Sequence, residues 1–173
     1  SAGDTDTLVA NGGGSDDRLE LAAASGAIQL TRPLGAQVLL RTASVEALEL
    51  DGLDGNDRFV VNLPQPYASI TTRRGGPGNS DTLQVNDQAG LADAFDVTPA
   101  ATPGDGQIDI NGSATLLTYV GVEHLTLAAS DNTLDTLTIN EPGGDNVWTV
   151  NGGPAIPQQT DRVQIDGRET MDY

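Results

Sequence analysis

The sequence predicts an all-β chain without a long helix, and three observations carry that reading. Apolar residues alternate with polar ones in short runs instead of recurring every third and fourth position. Nearly every run is bounded by Gly, Asn, Asp or Pro, and 21 glycines and 9 prolines in 173 residues supply the turns. The one alanine cluster, Ala22-Ala23-Ala24, is stopped at once by Ser25-Gly26.

Taken in order, the predicted strands cover 7–10, 18–21, 27–30, 37–40 and 45–50. They continue through 58–62, 69–72, 82–85, 94–98, 107–110, 115–120, 123–127, 136–139, 147–150 and 162–165. Leu83-Gln84-Val85, Phe95-Asp96-Val97, Ile108-Asp109-Ile110 and Leu137-Thr138-Ile139 show the period of two that turns one face inward. The longest clear unit is a strand, a turn and a strand. Val45-Glu46-Ala47-Leu48-Glu49-Leu50 leads through Asp51-Gly52-Leu53-Asp54-Gly55-Asn56-Asp57 into Arg58-Phe59-Val60-Val61.

That unit returns. Val122-Glu123-His124-Leu125 repeats Val45-Glu46-Ala47-Leu48, Asp81-Thr82-Leu83 repeats Asp6-Thr7-Leu8, and Gln107-Ile108-Asp109-Ile110 repeats Ala27-Ile28-Gln29-Leu30. The offset is about 77 residues, which divides a single elongated repeat domain, 1–173, into units of about 4–74 and 75–152. Asp161-Arg162-Val163 opens a third, at 153–173. Within the units, two apolar columns recur about every 26 residues. One runs Leu8, Ile28, Phe59, Leu83, Ile108, Leu137, Val163, and the other Leu19, Leu48, Ile70, Phe95, Leu125, Trp148. A step of that length suits one coil of a right-handed parallel β-helix, a β-solenoid of about six coils. Its core is narrow, in keeping with an aromatic content of 3%. The alternative is two β-sandwich modules of seven short strands each.

Composition limits the function. A net charge of −17, from 25 acids against 8 bases, repels nucleic acid and anionic membranes. All eight bases are arginines. Cysteine is absent, which removes disulfides and thiolate chemistry, and no apolar run approaches the roughly 18 residues of a membrane span. No secretory leader opens the sequence, so it reads as a piece of something longer.

The turns carry the candidate chemistry. Asp51-Gly52-Leu53-Asp54-Gly55-Asn56-Asp57-Arg58-Phe59 resembles the haemolysin-type (RTX) calcium-binding nonapeptide, with Leu53 in place of its second glycine. Gly75-Gly76-Pro77-Gly78-Asn79-Ser80-Asp81-Thr82-Leu83 is similar with one extra residue, and Gly12-Gly13-Gly14-Ser15-Asp16-Asp17-Arg18-Leu19 is looser. The resemblance implies calcium held by turn oxygens, with Asp51, Asp54, Asn56, Asp57, Asn79 and Asp81 as the candidate ligands. The plainer reading is that Gly, Asp and Asn only form turns here.

The Gly-Val-Glu-x-Leu-x-Leu segment with its following turn and strand resembles repeat modules of large secreted bacterial surface, adhesin-like proteins. That resemblance implies an extracellular, non-enzymatic, structural or adhesive module. Its partners would be neighbouring repeats and a cell-surface protein or glycan, and the excised piece would be a monomer. The alternatives are a carbohydrate- or protein-binding surface module and a polysaccharide-acting β-helix enzyme, whose acid and base would be paired carboxylates. Against the enzyme, the strong negative charge disfavours acidic sugars, and Tyr67, Tyr119, Tyr173 and Trp148 offer few stacking platforms. Glu46 and Glu123 share the phase of the apolar residues that follow them, so they are expected to bond backbone N–H groups of an adjacent turn. His124, the one histidine, falls out of phase with Leu125 and Leu127 and is expected in solvent.

Overall fold

The computed structural model describes residues 3–31, 37–40, 44–74, 80–88, 90–91, 93–110, 114–128, 136–140, 147–151, 162–164 and 170–172. The chain is all-β, with no helix among the described residues. In chain order the strands are β1 (Thr7–Gly13), β2 (Arg18–Leu21), β3 (Ile28–Thr31), β4 (Gln37–Leu40), β5 (Ala47–Leu53), β6 (Arg58–Asn62), β7 (Ser69–Arg73) and β8 (Thr82–Asn86). They continue as β9 (Ala94–Pro99), β10 (Gly106–Ile110), β11 (Leu116–Val120), β12 (His124–Ala128), β13 (Thr136–Asn140), β14 (Val147–Asn151), β15 (Arg162–Gln164) and β16 (Thr170–Asp172). The first fifteen fall where alternation predicts them. β16, Thr-Met-Asp, is too short to show a period.

Among the described residues these form two mixed sheets of eight strands, ordered β1-β5-β7-β11-β10-β9-β13-β14 and β15-β16-β12-β8-β6-β2-β3-β4. Each contains a parallel run: β1, β5, β7 and β11 in the first sheet, and β2, β6, β8, β12 and β16 in the second. Along the chain the two runs alternate, so that β1 leads into β2, β5 into β6, β7 into β8 and β11 into β12. β3–β4 and β9–β10 interrupt this alternation as antiparallel additions.

The inward side chains form rows across the strands. Leu48 lies opposite Ile70 and Phe59 opposite Leu83, as the apolar columns predict. Beyond these pairs the columns fail: Ile70 continues to Leu117 and Leu83 to Leu125, where Phe95 and Ile108 were expected. The cause is the inserted strands, which break the uniform step of about 26 residues. The rings also depart from expectation, because Tyr67, Tyr119, Phe59 and Phe95 are the largest wholly buried side chains among the described residues. Tyr67 satisfies its hydroxyl by donating to the Gly26 carbonyl at 2.6 Å. Tyr119 is seated against Gly106, its partner across β10 and β11, where any Cβ would strike the phenol oxygen.

Some of the strand pairings recur at corresponding places in the sequence, with the sheets exchanged. β1 pairs with β5 through Thr7↔Ala47 and Leu8↔Leu48, and β8 pairs with β12 through Thr82↔His124 and Leu83↔Leu125. The first pair lies in one sheet and the second in the other. Likewise β2 with β6 matches β9 with β13, again across sheets, with Leu19↔Phe59 corresponding to Phe95↔Leu137.

Candidate functional site

The turns between the parallel runs bring a column of carboxylates into the interior. Asp17 ends one such turn and Asp57 the next, each five residues after a glycine, Gly12 and Gly52. Gly12 lies so near the Gly52 carbonyl and the Asp17 carboxylate that a Cβ there would collide with both. At Gly52 a Cβ would collide with the Asp57 carboxylate. Glycine at these positions lets the carboxylate fold back under its own turn. Leu53 in the same turn adopts the left-handed φ of 67°, a conformation that favours glycine.

Hydrogen bonds link the carboxylates rung by rung. The Asp17 N–H donates to Asp57 Oδ1 at 2.8 Å, the Asp57 N–H to Asp81 Oδ1 at 2.6 Å, and the Asp81 N–H to Glu123 Oε2 at 2.8 Å. The carbonyls of the same residues accept from the next rung, Asp17 from Arg58 and Asp57 from Thr82. Asp81 accepts from both Glu123 and His124. Asp17, Asp57 and Asp81 are buried. A second rung of this kind stands in the other sheet, where the Asp6 N–H donates to Glu46 Oε2 at 3.0 Å and the Asp6 carbonyl accepts from Glu46 and Ala47. Glu46 and Glu123 thus bond backbone N–H groups as expected, although from the strand rims and not from the core.

Burial has an electrostatic price at these positions. It is the main reason the Asp57 carboxyl is pushed up to about 7, opposed by the Asp17 N–H and reinforced by the negative charges of Asp81, Asp17 and Asp16. Asp81 is raised chiefly by burial and by Glu123, while the Asp57 N–H and Arg74 pull the other way. Arg74 pairs with Glu123 at the rim. Among the described residues, Asp57 Oδ2 and Asp81 Oδ2 are buried without a hydrogen-bond partner.

No protein-family model matches the chain, and neither a curated protein nor a solved structure does.

Of the candidate calcium ligands, Asp57 and Asp81 occupy adjacent rungs. Asp51 instead closes its own turn, Oδ1 accepting the Leu53 N–H at 3.1 Å. Asp54 and Asn56 are exposed, and the Asn56 N–H is taken by Asp16 Oδ1 at 2.9 Å. Asn79 lies outside the described residues. Among the described residues no three acidic or histidine side chains converge closely enough to hold a metal ion. Asp17 and Glu123 belong to the column although neither was a predicted ligand. The recurrence of Asp five residues after Gly at 17, 57 and 81 was the signal available for Asp17. His124 is exposed at the start of β12, as its phase predicts.

Proposed function

We propose that the chain is a non-enzymatic structural and adhesive repeat module of a large extracellular bacterial surface protein, built as a β-solenoid. The observation that carries this reading is the pair of in-register parallel runs between which the chain alternates. Ala47↔Ser69 and Phe59↔Leu83 give steps of 22 and 24 residues, the length of one coil, and the longer steps contain the added antiparallel strands. Both sheets draw strands from both halves of the sequence, which weighs against two separate sandwiches. Such a stack passes load along its axis through rows of main-chain hydrogen bonds, and its acidic surface keeps neighbouring copies apart.

Calcium is the cofactor this reading admits, recruited by Asp57 Oδ2 and Asp81 Oδ2 with turn carbonyls completing its oxygen shell. Two measurements test the proposal. Small-angle scattering should give the cross-section and length of a rod, and a compact particle would overturn the solenoid. Calcium should raise the melting midpoint where equal magnesium does not; an equal response to both, or none, removes calcium and leaves the stack.

A further inference from the structure

We infer that the open edge of β1 is a docking surface for one extended strand of another repeat of this class, a strand of the β6 type that enters parallel to β1. The inference rests on the repeat-module reading above and names its contact.

β1 ends its sheet, with β5 on one side and no strand on the other among the described residues. In a parallel ladder alternate residues turn their N–H and C=O groups to opposite neighbours. Asp6 bonds the β5 side, so Thr7, Val9 and Asn11 present theirs to the open edge. Edge strands are ordinarily blunted by charge, proline or a bulge. β1, Thr-Leu-Val-Ala-Asn-Gly-Gly, has no charge and no proline, and Val9 is half exposed.

The internal repeat shows what fits there. β8 is the counterpart of β1, and its far side is occupied by β6, the strand that joins the first unit to the second. At that junction the Asp57 N–H donates to Asp81 Oδ1, the Thr82 N–H donates to the Asp57 carbonyl, and Val60 lies opposite Gln84. Asp6 matches Asp81, Thr7 matches Thr82 and Val9 matches Gln84. A β6-type strand on β1 therefore gives its Asp N–H to the exposed Asp6 carboxylate and receives the Thr7 N–H. It lays its Val beside Val9, so the occupant is defined by an Asp, one intervening residue and an alternating apolar run.

The test adds a fluorescent peptide of sequence 52–62 to the full chain and follows anisotropy. Saturable one-to-one binding is expected, weakened about tenfold or more by Val9→Pro, which removes an outward N–H. An unchanged melting midpoint verifies that this variant folds. A peptide N-methylated at the residue corresponding to Phe59, whose N–H faces the receiving strand, should also fail to bind, and that arm leaves the protein untouched. Absence of saturable binding, or binding that survives both changes, overturns the inference. So does self-association of the chain through β1 in place of peptide capture. A rod-like scattering profile with no peptide binding removes the docking surface alone, whereas a compact particle removes the solenoid with it.

Discussion

Thr72 is wholly buried on β7, between Leu50 and Tyr119 in register, and its hydroxyl oxygen has no hydrogen-bond partner among the described residues. A buried hydroxyl without a partner costs free energy that a methyl group of the same shape does not. Thr72→Val should therefore stabilise the chain by about 1 kcal/mol, read as a higher urea midpoint at unchanged slope. A loss of stability would mean that the hydroxyl is satisfied. Asp57 makes a prediction in pH. Its folded pKa, about 7, lies above its ordinary 3.8, so the folded state holds the proton more tightly. Its favourable contribution is full below about pH 4 and declines as pH rises through about 7. Asp57→Asn keeps an oxygen for the Asp17 N–H and removes that titration. In chelator, the variant should lose less of its melting midpoint between pH 4 and 7 than the parent, and a parent that is flat across this window would refute the assignment.

At the scale of the element, the turn is held by what glycine leaves empty. Gly52→Ala places a methyl group on Asp57 Oδ2 and should cost about 2–3 kcal/mol in urea unfolding, because the carboxylate has nowhere buried to go. Retention of full stability would mean that the turn rearranges freely. The strands themselves were legible in the sequence because each is a short alternating run between turn residues, and alternation depends only on neighbours along the chain. Their partners were not. Leu48 with Ile70 and Phe59 with Leu83 could be matched because no insertion separates those strands. β3–β4 and β9–β10 lengthen the other steps, and nothing local in 28–40 or 94–110 says that those segments turn back antiparallel instead of advancing. The carboxylate column was half legible for the same reason. Asp57 and Asp81 could be found as turn residues, while their burial and linkage to Asp17 and Glu123 are set by which turn lies on which. Asn62 and Asn86 form a similar unread row, Asn86 Nδ2 donating to Asn62 Oδ1 at 2.6 Å and Asn62 Nδ2 to the Leu21 carbonyl at 2.7 Å.

For the whole molecule, charge dominates. With −17 distributed over 173 residues, self-repulsion opposes the compact state, and exposed pairs such as Arg73–Glu49 at 2.7 Å offset little of it. The melting midpoint should rise when sodium chloride is added from low to physiological ionic strength, before any specific ion is present. A flat response would show that the carboxylates are already compensated where they stand.

In the proposed solenoid, stretches of similar sequence that pair in opposite sheets, as β1–β5 and β8–β12 do, would be related by about a half-turn combined with an advance, a two-fold screw. Continued through further copies, that operation would show any given side chain on one flank of the fibre, then on the other. A partner gripping two identical sites along a single flank would have to span two repeats, and it would pass over the intervening copy.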